Sequence, residues 1–226
     1  VEGNGEKVYN TDQEGQVVYE FLDTLPGSGS GKKEKVKGKA EANNAINCSL
    51  FEYLESYNVP THFLQKLEDK KFVAKQVSPI PIIVTVWNIA SGDLAKRFAL
   101  EEGKILEYPI VEMYLKDDKL KRPMICEYHA YALGLCERKD LANMMRIATK
   151  VNAVLKSFFD RRNVKLVKFR IEFGQIQNQV VLNHTLGADS IVLWKIMDSG
   201  KYEKLDTRVS HKADIYKAMR ELIVKE

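Results

Sequence analysis

The sequence predicts one α+β domain, because strands, helices and further strands follow one another without a regular alternation of strand and helix. Its 226 residues suffice for one large domain or for two small ones that share a core. Short strands at 7–10 and 17–21, joined by a turn at 12–15, favour an N-terminal hairpin. Apolar residues at near-helical spacing predict a helix over 41–57, and two strands joined at 78–79 are expected at 72–77 and 80–88.

The C-terminal half contains the clearest periodic patterns of the chain. Asp140 is expected to cap a helix that ends near residue 161, and a strand follows at 164–174. That strand alternates between apolar and charged residues, with Val167, Phe169, Ile171 and Phe173 on one face and Lys168, Arg170 and Glu172 on the other. The ordinary interpretation of such a charged row is a solvated strand face. A short strand at 180–182 and an amphipathic helix at 215–224 complete the pattern.

Composition excludes several classes of protein. The formal net charge is +4, from 35 Lys and Arg against 31 Asp and Glu, which suits a small anionic ligand but is too mild to predict nucleic-acid binding. The longest apolar run, at 80–87, is too short to span a bilayer. Three widely spaced cysteines without a CxxC motif indicate neither a disulfide framework nor a thiolate metal site, and they favour a reducing, cytoplasmic location.

The segment 25–33 is rich in glycine and serine and has some likeness to a phosphate-binding loop. That motif needs two glycines five positions apart, followed by Lys and then Ser or Thr, whereas Pro26 and Lys33 break the pattern here. A mobile connector is the favoured interpretation.

Several ordered blocks of sequence carry a family resemblance. They are GKAEANN at 38–44, VWNIASG at 86–92, YLKDD at 114–118 and LVKFRIEFG at 166–174. In this order and spacing the blocks resemble the SAICAR synthetase family, the phosphoribosylaminoimidazole-succinocarboxamide synthases of purine biosynthesis. The resemblance extends over nearly the whole chain.

The resemblance implies an α+β fold in which antiparallel sheets and packed helices form an ATP cleft. It also implies a nucleotide-clamping subregion at 1–88 and a substrate subregion at 89–226 of a single domain. The family reaction uses ATP and Mg²⁺ to activate the carboxylate of carboxyaminoimidazole ribotide, which the amine of aspartate then attacks. The expected partners are therefore the nucleotide, the ribotide and aspartate, and the family commonly assembles as homo-oligomers.

The resemblance also suggests functional residues. Glu172, Asp189 and Lys39 are the catalytic candidates, and Glu172 is also the candidate metal ligand. Lys7 and Lys75, together with Glu172, are the candidates for nucleotide binding. The candidates for the substrate cleft are Trp87, Asn88, Asp93, Lys96, Arg97, Lys168, Arg170 and His184.

Departures from the family pattern fall on the positions that the chemistry needs. Acyl-phosphate formation brings two anions together, so the site requires cations, Mg²⁺ and acidic residues to hold the metal. Glu6 stands where the family has a phosphate-binding lysine, and His184 stands where it has a metal-binding aspartate. A neutral imidazole is a poor ligand for Mg²⁺, which prefers oxygen.

The substrate positions depart as well. Trp87 replaces an arginine and Asp93 replaces a serine of the ribotide site, while Lys168 and Arg170 stand at an expected aspartate and lysine. An anionic ribotide would thus lose a guanidinium partner and meet a carboxylate.

Three interpretations follow. The chain is a weakly active or non-catalytic relative, natural or redesigned, whose cleft serves another task; this is the favoured interpretation. Alternatively it is an active synthetase in which Lys7, Lys32 or Lys33 supplies the missing charge and Glu172 and Asp189 hold Mg²⁺. In the third, the old cleft carries new acid and base groups, namely His184, Lys168 and Asp93.

Overall fold

Two antiparallel sheets form the framework of the protein in a computed structural model. The structure describes residues 5–25, 34–210 and 212–224. The predicted glycine- and serine-rich connector therefore lies largely outside the described residues, as do Lys32 and Lys33. None of the described helices is long and apolar enough to cross a membrane.

The N-terminal sheet has four strands and one long helix beside it. In chain order these elements are β1 (Glu6–Asn10), β2 (Gln16–Phe21), α1 (Lys39–Ser56), β3 (Phe63–Glu68) and β4 (Lys71–Lys75). The strand order is β1-β2-β4-β3. The predicted hairpin and first helix are confirmed, whereas β3 had no clear signal in the sequence because most of its residues are exposed.

The second sheet has seven strands. The strands and helices of this part of the chain begin with β5 (Ser78–Ile89), α2 (Gly92–Arg97), β6 (Ile105–Leu115), β7 (Met124–Ile125), α3 (Glu127–Ala132) and α4 (Arg138–Asp160). They continue with β8 (Val164–Ile176), β9 (Gln179–Asn183), β10 (Ile191–Ile196), β11 (Tyr202–Leu205) and α5 (Ala213–Ile223). The order is β11-β10-β8-β5-β6-β7, and β9 pairs with β8.

The predicted join at 78–79 is wrong, because Ser78 and Pro79 belong to β5 itself. The chain passes from one sheet to the other between β4 and β5. The two sheets are tied together by backbone hydrogen bonds, from His62 N to Leu182 O at 3.0 Å and from Leu182 N to Pro60 O at 2.9 Å. The cleft described below lies between them.

The predicted N-cap of the long helix is also wrong. Glu137 is the capping residue of α4, and Asp140 lies in its first turn. Asp140 is buried, and one of its carboxylate oxygens accepts a hydrogen bond from Gln175 Nε2 at 2.8 Å. Its carboxylate thus joins α4 to β8.

The apolar face of β8 differs from the predicted alternation at one residue. Leu193 pairs with Leu166 while Val192 pairs with Lys168, so Val167 is an additional residue that forms a β-bulge. Val167 packs in a small cluster with Val192, Trp194 and Ile89. Phe169, Ile171 and Phe173 instead share the main core with the buried side of α4, together with Leu166.

Candidate functional site

A cleft of about 790 Å³ lies between the two sheets. The N-terminal sheet contributes an apolar wall, on which Val8, Val17, Tyr19 and Phe21 face the cavity. Charged side chains of β8 and of the segment between β9 and β10 form the opposite wall. The cleft thus offers one apolar and one charged surface to a ligand.

The strand register determines the charged wall. Lys168, Arg170 and Glu172 of β8 lie opposite Trp87, Thr85 and Ile83 of β5, respectively. Alternate residues of a strand point to the same face, so these two rows lie side by side on the cleft face of the sheet. The predicted solvated strand face is therefore the wall of a cavity, and Glu172 is only 7% exposed.

The segment between β9 and β10 enters the cleft because its flanking strands pair with different halves of β8. β9 pairs with residues 172–176 of β8, and β10 pairs with residues 164–169. The intervening chain crosses the middle of β8 and brings His184 and Asp189 next to the charged row. His184 adopts a φ of 69°, a left-handed conformation that is uncommon for a residue with a side chain.

His184 connects two carboxylates. Its Nδ1 lies 2.8 Å from Glu6 Oε1, and its Nε2 lies 3.9 Å from Glu172 Oε1. Lys116 Nζ contacts the other oxygen of Glu172 at 2.5 Å. Burial disfavours the imidazolium, but attraction to Glu6 and Glu172 outweighs burial and raises the pKa of His184.

Glu172 is held in its charged form by the same neighbours. Burial alone would raise its pKa, but His184 and Lys116 lower it. The carboxylate expected to bind a metal therefore lies between the Lys116 ammonium and an imidazole whose pKa is raised.

A second charged cluster surrounds Asp189. Its Oδ2 lies 2.9 Å from Lys39 Nζ and accepts a hydrogen bond from Asn43 Nδ2 at 3.0 Å, while its Oδ1 accepts one from the Tyr216 hydroxyl at 2.6 Å. Burial raises the pKa of Asp189, but Lys39 and the Tyr216 hydroxyl lower it overall. The three donors come from α1 and α5, so Asp189 ties both helices to the cleft.

Asn43 also fixes the backbone that presents Asp189. Its Oδ1 accepts a hydrogen bond from Ala188 N at 2.7 Å. Gly187 is required here, because a Cβ at this position would lie 2.5 Å from Asn43 Oδ1.

Trp87 is anchored through Glu112 of the neighbouring strand. The indole Nε1 donates a hydrogen bond to Glu112 Oε2 at 2.9 Å, and Arg97 Nη2 donates to Glu112 Oε1 at 2.7 Å. Lys168 Nζ lies 3.8 Å from the centre of the indole ring, which is a cation–π contact. Burial, and then repulsion by Arg208, lower the pKa of Lys168 to about 8.

The structure brings most of the predicted site residues to the cleft. Those that line it or the smaller cavity beside it are Lys39, Trp87, Asp93, Lys168, Arg170, Glu172, His184 and Asp189. Asp93 forms an ion pair with Arg97 at 3.1 Å. Their roles in catalysis or binding stay predictions.

The other five predicted residues line neither cavity. Lys7 alternates with Glu6 and Val8 along β1, and these two neighbours face the cleft. Asn88 follows Trp87 and points to the opposite face of β5, where its side chain exchanges hydrogen bonds of 2.8 and 3.0 Å with Asn152 of α4.

Lys75 and Lys96 are exposed. Arg97 contacts Asp93, which lines the smaller cavity, and Glu112, which lines neither cavity.

Sequence reasoning missed several cleft residues because strand pairing and loops assemble them. Lys116 lies 56 positions from Glu172, and Glu112 reaches Trp87 only through the pairing of β5 with β6. Arg122 and Arg208 come from loops. The only signal was the family-like block that contains Lys116.

The side chains of the cleft do not fit a magnesium site. Among the described residues there is no group of three or more His, Cys, Asp or Glu side chains that could hold a metal ion. Glu172 contacts Lys116 and His184, and Asp189 contacts Lys39. Mg²⁺ prefers several oxygen ligands, so a set that is paired with cations and contains an imidazole is unsuitable.

The fold and site define an α+β protein with a ligand cleft between two antiparallel sheets. A family model described as SAICAR synthetase matches residues 1–218. The phosphoribosylaminoimidazole-succinocarboxamide synthase of Chlorobium phaeobacteroides is 39% identical over 203 residues, which cover 90% of this chain and 86% of that relative. The enzyme of the same name from Clostridium kluyveri is 37% identical with the same coverage. The chain therefore belongs to the SAICAR synthetase family, and the resemblance found in the sequence is confirmed.

Solved structures agree with this assignment and confirm the predicted α+β fold class. The phosphoribosylaminoimidazole-succinocarboxamide synthase of Ehrlichia chaffeensis has a TM-score of 0.91 at 26% identity, covering 100% of this chain and 98% of that one. A type-2 SAICAR synthetase in complex with ADP has a TM-score of 0.92 at 31% identity, covering 100% and 97%.

Proposed function

We propose that this protein is a SAICAR synthetase relative that keeps the family cleft but catalyses the ATP-dependent ligation slowly or not at all. The family reaction joins aspartate to carboxyaminoimidazole ribotide, and its ATP and Mg²⁺ are expected to bind weakly here. The small-molecule cleft itself is retained. The proposal describes a divergent enzyme or pseudoenzyme and does not depend on whether its cleft residues arose naturally or by design.

The observation that carries this proposal is the ion pair between Glu6 and His184, whose atoms lie 2.8 Å apart. These residues occupy positions at which the resemblance expects a lysine and an aspartate, so the two signs are exchanged. The exchange preserves an attractive contact in the cleft while removing a cation meant for phosphate and a carboxylate meant for the metal. A buried charge without a partner is strongly destabilising, which explains why both positions differ together.

A second coupled difference supports the same conclusion. Trp87 and Lys168 lie opposite each other in the sheet, at positions where an arginine and an aspartate are expected. In place of these two oppositely charged residues, the chain has a cation–π contact of 3.8 Å. The bulk of the indole also takes space at a position assigned to the ribotide site, and its N–H is committed to Glu112.

An active synthetase is the second candidate, and the names of the similar proteins favour it. Proteins that are 37–39% identical to this chain are named as the synthase. In that interpretation Glu172 and Asp189 would have to give up their lysine partners to bind Mg²⁺. The mismatch between these paired carboxylates and Mg²⁺ makes it the weaker candidate.

Two measurements separate the candidates. Calorimetric titration with Mg·ATP tests nucleotide binding, and a coupled assay measures ADP release that depends on both aspartate and the ribotide. The synthase of Chlorobium phaeobacteroides, assayed in parallel, is the positive control. Removing one charge-stabilising group typically lowers kcat by about 10²–10³-fold, so we expect turnover at least about a hundredfold below that of the control.

A reversion experiment tests the cause. Glu6→Lys and His184→Asp are made singly and together. Each single variant places like charges next to each other, whereas the double variant restores an attractive pair with the expected signs. We expect Mg·ATP binding to increase in the double variant and not in either single variant.

Turnover of the unmodified protein comparable to that of the relative would overturn the proposal. No gain of Mg·ATP binding in a folded double variant would refute the role assigned to the exchanged pair.

The same proposal includes a cytoplasmic location and assembly as a homo-oligomer. The location is supported by the three cysteines, all of which are free. Fractionation and analytical ultracentrifugation test these two points.

A further inference from the structure

Two tyrosines and an arginine form a hydrogen-bonded cluster where the end of α1 meets the end of α4. Tyr53 lies in the last turn of α1, Tyr57 directly follows that helix, and Arg161 directly follows α4. Residues four positions apart are neighbours on a helix surface, and the two tyrosine rings lie 5.1 Å apart between their centres. None of the three residues lines the cleft or the smaller cavity. The cluster is therefore separate from the site described above.

The hydrogen bonds of this cluster run in one direction. Arg161 Nη2 donates to the hydroxyl of Tyr53, and that hydroxyl donates to the hydroxyl of Tyr57 at 3.2 Å. A guanidinium can only donate, so the oxygen of Tyr53 is the acceptor and its single proton is directed to Tyr57. Within the described part of the chain, the proton of Tyr57 itself has no acceptor. The oxygen of Tyr57 is thus the end of a series of donors that begins at a cation.

Packing fixes the first tyrosine and leaves the second one accessible. The ring of Tyr53 contacts the ring of Phe158 edge to face, with 4.7 Å between the ring centres, and Phe158 is buried in the core. Tyr57 is 42% exposed. The helix contact therefore holds the donor in place and presents the acceptor oxygen to solvent.

The two phenols are affected in opposite directions. The hydrogen bond from Tyr53, and then Arg161, lower the pKa of Tyr57, and burial opposes them only in part. Burial, and then the hydrogen bond with Tyr57, raise the pKa of Tyr53, although Arg161 opposes this. Among the described residues, these are the titratable groups of α1 and α4 that act on Tyr57. Tyr53 therefore keeps its proton as a donor, and Tyr57 is the phenol that ionises first.

We propose that Tyr57 is a nucleophilic tyrosine and a covalent modification site for activated acyl donors. Its phenolate oxygen attacks the carbonyl carbon of the donor, and a C–O ester bond forms. The bond from that carbon to the leaving group breaks, and the leaving group takes the electron pair of the bond and then a proton from water. Tyr53 and Arg161 are positioning residues that stabilise the phenolate. This modification site goes beyond the proposed function and does not depend on it, because the cluster contributes nothing to the cleft.

A purely structural role of the same contacts predicts a different result. If the cluster only joins α1 to α4, the reactivity of each tyrosine should follow its exposure. Tyr202 of β11 is 41% exposed and Tyr108 of β6 is 76% exposed, and neither hydroxyl has a hydrogen-bond donor among the described residues. Tyr202 is therefore the matched comparison for Tyr57 within the same protein, and Tyr108 is the more accessible one.

The experiment is limited acetylation of the folded protein with N-acetylimidazole at neutral pH, followed by peptide mass spectrometry. We expect Tyr57 to be acetylated faster than Tyr202 and faster than Tyr108. Each unit by which a pKa falls increases the phenolate fraction about tenfold, and the accompanying loss of nucleophilicity leaves a gain in rate of about threefold. Acetylation of Tyr57 no faster than that of Tyr202 would overturn the proposal.

Tyr53→Phe and Arg161→Gln test the two positioning residues. Tyr53→Phe keeps the ring against Phe158 and removes only the donated hydrogen bond, and Arg161 is exposed, so we expect both variants to fold. Circular dichroism checks this expectation. In both variants the acetylation of Tyr57 should slow, and the pH of its half-maximal rate should rise.

Arg146→Gln is the matched control for the arginine. Arg146 is exposed on α4 and contacts only Asn143 among the described residues, so its replacement removes the same charge away from the cluster. It should leave the rate and the pH profile of Tyr57 unchanged, and none of the three variants should change the rate at Tyr202. An unchanged rate and pH profile of Tyr57 in Tyr53→Phe and Arg161→Gln would refute the roles assigned to these residues and, with them, the proposal.

Discussion

Replacement of Asp189 by Asn should destabilise the protein more than replacement of its partner Lys39 by Met. The Lys39 side chain is 3% exposed, whereas the Asp189 side chain is 41% exposed to the cleft. Asp189→Asn therefore leaves a buried ammonium without its counter-charge. Lys39→Met leaves a carboxylate that still accepts hydrogen bonds from Asn43 and Tyr216 and is reached by water.

The magnitude follows from this difference in burial. Breaking a fully buried ion pair from one side costs about 3–5 kcal/mol. Water in the cleft reaches Asp189 and screens the interaction, which reduces the expected loss for Asp189→Asn to about 2 kcal/mol. We expect about 1 kcal/mol for Lys39→Met, since the remaining carboxylate keeps two donors. For a chain of this length, 2 kcal/mol corresponds to a fall in Tm of about 4–8 °C.

Urea unfolding followed by tryptophan fluorescence, together with calorimetry, measures both variants at neutral pH. Asp160→Asn is the control, because Asp160 pairs with Lys165 at a similar distance of 2.8 Å but with both side chains about one-third exposed. Exposed pairs of this kind contribute at most about 1 kcal/mol. The pKa of Asp189 is lowered, so its stabilising contribution is present above the ordinary value of 3.8 and is lost as the pH falls through its folded-state pKa.

A loss of stability for Lys39→Met equal to or larger than that for Asp189→Asn would contradict this expectation. So would a loss for Asp189→Asn no larger than that for Asp160→Asn. Either result would mean that the pair is solvated and does not hold the two helices to the cleft.

Three further predictions concern the seven-stranded sheet and the helix α4 packed against it. Glu112→Gln should lower the free energy of unfolding by about 2 kcal/mol, because a buried carboxylate that accepts the Trp87 N–H loses its charge, and urea unfolding will measure this change. Lys168 has a folded-state pKa of about 8 against an ordinary value of 10.5, so between these pH values the unfolded chain binds more protons than the folded protein. The free energy of unfolding should therefore rise with pH over this range, and Lys168→Met should lack this rise when unfolding is measured as a function of pH. Asn152→Ala should cost about 1–3 kcal/mol by leaving the buried Asn88 amide unpaired, whereas the double replacement of Asn88 and Asn152 by Leu should be far less costly; urea unfolding will compare the two.

Local patterns were sufficient to predict α1, α4 and α5 and about half of the described strands, but they did not predict β6 or β10 of the large sheet. The 3.6-residue period of α4 and the alternation within β8 are properties of neighbouring residues, and both elements form where the sequence predicts them. The β-bulge at Val167 was not predictable in this way, because it exists only through the pairing of β8 with β10. The sequence places two apolar residues, Leu166 and Val167, next to each other at that point, which interrupts the alternation but does not show that β10 is the partner strand.

The contents of the cleft were predictable only in part, for the same reason. The charged row of Lys168, Arg170 and Glu172 is visible in the sequence, but its burial depends on a second sheet and on the segment that carries His184. The resemblance assigned both Trp87 and Asn88 to the substrate cleft, although adjacent strand residues point to opposite faces. Sequence adjacency and a shared site are different properties in a β-strand.

Two pairs of contacting residues in the cleft, Glu6 with His184 and Trp87 with Lys168, differ from the family pattern. Variants that restore the family residues must therefore change both members of a pair. Glu6 and His184 lie 2.8 Å apart and attract each other. Replacing His184 alone by Asp would bring three carboxylates close together, namely those of Glu6, Glu172 and the introduced Asp. Their repulsion would disfavour the charged forms of all three and disturb the cleft before any metal could bind. Failure of such a single variant to bind Mg·ATP would therefore not test the proposed loss of activity. Only a change of both partners keeps the cleft electrostatically balanced while restoring the expected signs. The same argument applies to Trp87 and Lys168, which contact each other on the charged wall.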